Sequence, residues 1–500
     1  MHHGCHGSRG RTASSAATSS MVIVTGNSRN TARAAEKAAP PLVHSDMFSP
    51  PAWRMSNCHA EPRLGFASGK TDDGKGLGGF GLIRTGCEAT SRCEKATRPD
   101  RHYKMTIVST TLCYPTPTSP TQGVFVAQRL RAVHAQMPVK VVAPQPYFGI
   151  GPVGWPPGSL APDMDPLAIP PVWRPRMWYL PRVAKTFDAW FYCRALLSGI
   201  RSAMGNERPS LIDAHFEWPD GVGAYLAAKA LRVPFVLTLR GKLVSRSQVA
   251  SMRWRMAAAI AGADAVISVS RALADLACEL VGRQLDIRVI PNGVDGSVFA
   301  PRDRVAARAV LGLEADAKYV VSVGHMQELK GFARLVEIWP VVRQRGGDVR
   351  LILIGGSVQE PGYERRLRRR IAEMRLSDAV SVAGRQPPQR VAEYLNAADL
   401  FALWTRSEGW CNALTESLAC GCPVVASAVG GNGEIVSQDS LGRLVPFDDR
   451  GGWVEAILAA LKRPWDRDQI ARRGSLRAWQ QVGAECVDVF REVLNRRGGA

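Results

Sequence analysis

The stretch SEGWCNALTE, beginning at Ser407, sets Glu408 and Glu416 eight residues apart around Gly409, Trp410, Cys411 and Asn412. Carboxylates accept hydrogen bonds from paired hydroxyls, which a sugar and a ribose both present. The segment CNALTESLAC reads as a helix, and the first amides of a helix form an anion site, so phosphates would gather over Gly409 to Leu414. Eight residues exceed two helical turns, so Glu408 at the loop edge and Glu416 two turns into the helix can face one ligand from different points. That ligand would carry a sugar, a diphosphate and a ribose. Taken alone, two glutamates flanking a helix start more often mark a capped, solvated end.

Residues of this kind need a scaffold, and the order of apolar runs supplies one. VKVVAP, SLIDAH, PFVLTLR, ADAVISVS and IRVIPN alternate with amphipathic stretches such as GAYLAAKAL and RALADLACEL. A second series follows, with KYVVSVG, VRLILIGG, AVSVAG, LFALWT, PVVASA and GRLVPF. Such alternation predicts βαβ units and doubly wound parallel sheets, hence an α/β protein of two tandem Rossmann-like domains with a cleft between them. The break falls near VIPNGVDGSVF, and loops at the carboxyl ends of the strands should line the cleft.

The chain has 500 residues, 46% of them hydrophobic, enough for two or three cores. Eleven cysteines at irregular spacings argue against a disulfide framework and fit a reducing compartment. Cys420 and Cys422 form a C-x-C with no second pair at ligand spacing, so no metal and no cofactor is expected. No uncharged apolar run reaches eighteen residues. Net charge is +20, of which residues 1–104 contribute +7, from 15 Lys/Arg against 8 Asp/Glu. That balance suits anionic partners without choosing among them. Residues 1–104 lack sustained periodicity and read as a disordered extension, a start assigned too early, or a transit peptide. Met105 opens the first strand.

SEGWCNALTESLACGCPVVASAVGG, with Glu434 following, resembles the E-x7-E region of the family 4 retaining glycosyltransferases of GT-B fold. PTPTSPTQGVFV, DAHFEWPDG, ADAVISVSRALAD, VIPNGVDGSVF, VSVGHMQELKGF and VAGRQPPQRVAEYLNAADLF extend the resemblance over residues 105–460. It implies an acceptor domain at 105–295, a nucleotide-sugar donor domain at 296–479, and a helix at 480–500 that crosses back to the first domain. Glu416 resembles the glutamate on the donor ribose, and Glu408 the one beside the transferred sugar. Asn412, Ala413 and Leu414 lie where the family's helix start meets sugar and phosphate, and Lys330 resembles the basic residue whose positive charge neutralises the diphosphate leaving group. Gly384 and Arg385 occupy the loop that meets the nucleobase. Gly123 would permit close approach to sugar or phosphate, although a plain turn explains it equally. His215 ends a strand and is expected to face the cleft in a catalytic role.

Two positions depart from the family pattern. His325 stands where an arginine is common, a weaker and titratable cation. Arg240 stands where many members carry histidine, and an arginine there would clamp phosphate or sugar rather than exchange protons. The resemblance further implies retention of anomeric configuration, a glycan or lipid-linked acceptor, and a cytoplasmic protein working at the inner face of a membrane. In PPVWRPRMWYLPRVAKTFDAWFY, basic residues interleave with aromatics, which suits an anionic membrane surface or, equally, a core helix with a basic outer face. RRLRRR from Arg365 reads as a solvated helix face, so nucleic acid is not expected as a partner. The alternative reading is a non-catalytic nucleotide-sugar or glycan-binding protein on the same fold.

Overall fold

The computed structural model describes residues 105–148, 151–152, 163–180, 184–356 and 360–498, all within the unit Thr97–Ala500. The expectation of a disordered extension at 1–104 lies outside the described residues.

Two parallel sheets dominate. In the first, Ile107–Thr110 sits centrally between Val139–Val142 and Leu211–His215, followed outward by Phe235–Leu239, Ala265–Ser268 and Ile287–Val289. On the other edge, Val172–Trp173 adds in parallel and Met164–Asp165 in antiparallel register. The second sheet is wholly parallel, in the order Val380–Gly384, Val349–Ile354, Lys318–Val323, Leu400–Leu403, Val424–Ser427, Gly442–Val445. Continuous apolar runs such as LFAL are buried at every position because helices cover both faces.

The strand order reverses between Lys318–Val323 and Leu400–Leu403, and the loops leaving a reversal point open a crevice. The first loop carries Lys330 at the end of a single turn, Glu328–Lys330. The second carries Glu408. The Thr405 hydroxyl and the Arg406 amide both donate to the Leu329 carbonyl, at 3.1 and 2.9 Å, which ties the two loops together. Beneath them Trp404 stacks on Trp453 at 4.5 Å.

The segment from Pro170 to Tyr192 is not one core helix. Short strands at Val172–Trp173 and Arg176–Trp178 precede a helix at Asp188–Met204, because prolines 170, 171 and 175 deny helical hydrogen bonds to the front half. The arginines from Arg365 lie on the helix Tyr363–Glu373, where Arg368 and Arg369 pair with Glu364 and Glu373 one turn away. No helix among the described residues is long and apolar enough to cross a membrane.

The helix Trp479–Gly498 leaves the second domain and packs on the first, with Val482, Val487, Phe490 and Val493 against Val126, Leu130 and Val133. Phe490 is fully buried. Phe490→Ala is expected to cost about 3–5 kcal/mol and to move the urea transition of the first domain to lower denaturant. An unshifted transition would mean that the helix is not part of that core.

Candidate active site

The helix start expected after Glu408 is present, but the helix runs Asn412–Ala419, since Gly409 to Cys411 stay outside it and Cys411 is extended. Glu416 therefore lies one turn inside the helix rather than two. The amides of Asn412 and Ala413 precede the first intrahelical bond, from Leu414 N–H to the Cys411 carbonyl at 3.1 Å, and no side chain caps them. The Leu414 side chain faces the core, so only its backbone belongs to the site.

Around this start the charges are arranged unequally. Lys330 Nζ donates to Glu408 Oε1 in a largely buried ion pair. Burial pulls the Lys330 pKa down, but Glu408 outweighs it and the net shift is upward. His325 keeps an exposed edge, yet the protein packed around it, and then the charges of Lys330 and Arg385, hold its imidazole below the usual histidine range. The shift favours the neutral imidazole over the cation expected at that position. Arg385 lies exposed across Gly356. Gly384, at φ 70°, gives its carbonyl to the Gly355 amide and shapes the loop that delivers Arg385. Glu416 is half-buried and has no hydrogen-bond or ion-pair partner among the described residues, and burial pushes its carboxyl up to about 7.

The first domain meets this wall at the loop Arg240–Lys242. Gly409 lies so close that a Cβ on it would come 2.8 Å from the Arg240 carbonyl oxygen, which excludes any larger residue. Trp410 packs against the cores of both domains. Glu434 accepts from the amides of Arg271 and Ala272, at 3.0 and 3.2 Å, and so caps a first-domain helix from the second domain.

Two expected catalytic residues sit differently from the expectation. The His215 side chain is fully buried and does not face the cleft. Its Nε2 lies 3.1 Å from Asp213 Oδ2 and 3.0 Å from Ser109 Oγ, while Nδ1 accepts from Arg240 Nε at 3.3 Å. Burial lowers its pKa to about 4 in spite of Asp213, so it acts as a neutral spacer. Arg240 is 8% exposed, with Nη1 donating to Asn292 Oδ1 at 3.1 Å and its guanidinium 5.2 Å from the Phe125 ring centre. Burial, then Arg129, lowers its pKa to about 9, leaving it charged, and its buried Nη2 has no hydrogen-bond partner among the described residues. Gly123, at φ 65°, packs its α-carbon on the Cys113 carbonyl and starts the helix that carries Phe125.

Sequence reasoning missed Asn292 and Glu217. Asn292 Nδ2 donates to Asn412 Oδ1 at 2.9 Å, joining Arg240 to the second-domain helix start. The buried Glu217 carboxylate accepts the amides of Arg240, Gly241 and Lys242 at 2.9, 3.1 and 3.0 Å and fixes that loop. Both lay in motifs already quoted, but partners more than twenty residues distant leave no local signal.

The Glu416 shift has a measurable sign. Its folded pKa of about 7 exceeds the ordinary 4.5, so the folded chain holds this proton more tightly than the unfolded one. Ionising it opposes folding; the penalty is absent below the ordinary pKa, grows up to pH 7 and is constant above. Glu416→Gln is therefore expected to match the parent's melting temperature at about pH 4.5 and to exceed it by about 2–4 °C at pH 8. Equal differences at both pH values would show that the carboxyl is not perturbed.

The arrangement can be set beside known proteins. Residues 122–297 match the Glycosyltransferase Family 4 model and residues 303–477 the Glycosyl transferases group 1 model. A D-inositol 3-phosphate glycosyltransferase of Xylanimonas cellulosilytica is 30% identical over 317 residues, covering 57% of this chain and 73% of that one. A namesake from Acidothermus cellulolyticus is 30% identical over 309 residues, covering 57% and 68%. Among solved structures, sucrose-phosphate synthase from Thermosynechococcus elongatus superposes with a TM-score of 0.64 at 22% identity, over 78% of this chain and all of that one. HepE from Anabaena, solved with UDP, gives 0.60 at 17% identity over 77% and 99%. Those two likenesses establish the two-domain GT-B fold. The matched family models and the Xylanimonas relative, covered over 73% of its length, establish the rest: the chain belongs to the family 4 glycosyltransferases of GT-B fold and is a glycosyltransferase.

Proposed function

We propose that the chain moves a sugar from a nucleotide-sugar donor to a glycan or lipid-linked acceptor with retention of anomeric configuration, in polysaccharide or glycolipid biosynthesis at the inner face of a membrane. One observation carries the donor half. Lys330, His325, Arg385 and the uncapped helix start converge on one side of the cleft beside a partnerless carboxylate, Glu416. The Lys330 and Arg385 cations and the free amides suit a diphosphate, and an open carboxylate suits two ribose hydroxyls. HepE structures hold UDP and UDP-glucose on the same fold, which favours this class of donor.

In the proposed reaction the bond between the sugar's anomeric carbon and the diphosphate oxygen breaks, and its electron pair stays on that oxygen. Lys330 is placed to offset the charge that grows there, and a diphosphate beside His325 would favour its protonated form. The acceptor hydroxyl bonds to the same face of the anomeric carbon and yields its proton to the departing oxygen. Glu408 is occupied by Lys330, and Glu416 sits on the helix with hydrogen-bonding capacity to spare, an arrangement that serves binding better than double displacement. No metal or further cofactor enters this scheme.

Donor hydrolysis and transfer with UDP-, GDP- and ADP-sugars test the reading. Lys330→Ala is expected to lower kcat about 100-fold or more, and Glu416→Ala to raise KM about tenfold with a smaller effect on kcat. The product should keep the donor's anomeric configuration by NMR. Binding without turnover in the parent, or an inverted product, would contradict it.

A further inference from the structure

Between the strand Arg176–Trp178 and the helix Asp188–Met204 lies a groove of about 670 Å³ lined by Arg176, Trp178, Trp190, Phe191, Arg194 and Ser198. Its lining holds two guanidiniums and no carboxylate. Neither arginine has an ion-pair partner among the described residues; instead Arg176 lies over Tyr147 at 5.6 Å and Arg194 over Trp190 at 5.3 Å. Trp178 and Trp190 are 57% and 51% exposed. The apolar surface continues past the groove. Phe187 and Trp254 are 56% and 60% exposed, and Arg255, next to Trp254, bonds to the Thr186 carbonyl, which places both on this side of the domain. Four large aromatic side chains left open among unpaired cations exceed what a solvated surface needs.

We propose that this face docks the protein on an anionic lipid bilayer, with Trp178 and Trp190 at headgroup level and Arg176 and Arg194 on lipid phosphates. Indoles have an apolar body and a polar edge, and arginines can bury their stems while keeping the charge at the phosphate layer. The charge is complementary to such a surface, since no carboxylate lines the groove to repel it. Position adds to the argument. Tyr192, two residues past Trp190, bonds through its hydroxyl to Thr110 Oγ1 at 2.6 Å, at the carboxyl end of the central strand. The start of this helix is therefore level with the loops of the cleft, so docking would bring the bilayer to the acceptor side. The inference rests on the proposed transferase reading only for the lipid-linked acceptor, and docking itself can be scored without turnover.

Co-sedimentation of the full chain with vesicles tests it, comparing pure phosphatidylcholine with vesicles containing about one third phosphatidylglycerol. The expected result is binding at least roughly tenfold tighter to the anionic vesicles, reduced roughly tenfold by Trp178→Ala with Trp190→Ala and again by Arg176→Glu with Arg194→Glu. Donor hydrolysis without vesicles should be unchanged in these variants. Absence of a preference for anionic vesicles would overturn the proposal, and so would variants that bind like the parent, because the contact would then lie elsewhere. Capture of a soluble acidic oligosaccharide in the groove, with vesicles failing to displace it, would likewise replace the bilayer with a saccharide. Loss of donor turnover with vesicle binding intact would count against the transferase reading alone.

Discussion

Much of the cleft depends on how one buried guanidinium is held by two of its three nitrogens, with Nη2 left without a partner among the described residues. Arg240 is only 8% exposed, and a charge so placed must find partners or destabilise the fold. It finds the neutral nitrogen of His215 on one side and the Asn292 carbonyl oxygen on the other. An asparagine amide accepts at one end and donates at the other, so Asn292 can pass the connection on to Asn412 at the start of the second-domain helix. An aspartate in its place would suit Arg240 but offer no proton to Asn412. The chain of bonds thus runs from the first sheet, through the linker, to the amides best placed for a phosphate.

Other contacts reinforce the same geometry. Glu217 locks the Arg240 loop by three amides, Gly409 presses on that loop without a side chain between, and Glu434 caps a first-domain helix. Charge is divided accordingly. Lys330 and Glu408 are paired with each other, while the Glu416 side chain has no partner among the described residues. A ligand bearing both phosphate and hydroxyls would meet matching groups within one crevice.

Eleven of the described strands, each of four to six residues, were legible as largely apolar runs, because parallel sheets bury both faces; Gln145–Phe148, with no buried residue, was not. The helix at Asn412 was legible for a related reason, since ALTESLA follows a glycine-containing loop. The short strands at Val172–Trp173 and Arg176–Trp178 were not, as two or three residues carry no period. His215 and Arg240 were found by position, but their orientation was not foreseeable. Whether a histidine faces a cleft or an arginine depends on partners 25 and 52 residues away from that arginine, set by sheet packing rather than by local spacing. Asn292 was visible only as part of a break in the pattern. A side-chain amide in a Pro-Asn-Gly turn looks like turn chemistry until both of its bonds are seen.

A double-mutant cycle across Asn292 and Asn412, read by the dissociation constant of the nucleotide-sugar donor, tests the bridge most directly. The account predicts that Asn292→Ala and Asn412→Ala each weaken donor binding and that the double variant is little worse than the poorer single one, a coupling of about 1 kcal/mol. Strictly additive losses, or unchanged donor binding in Asn292→Ala, would contradict the claim that this bridge holds the phosphate-facing helix in place.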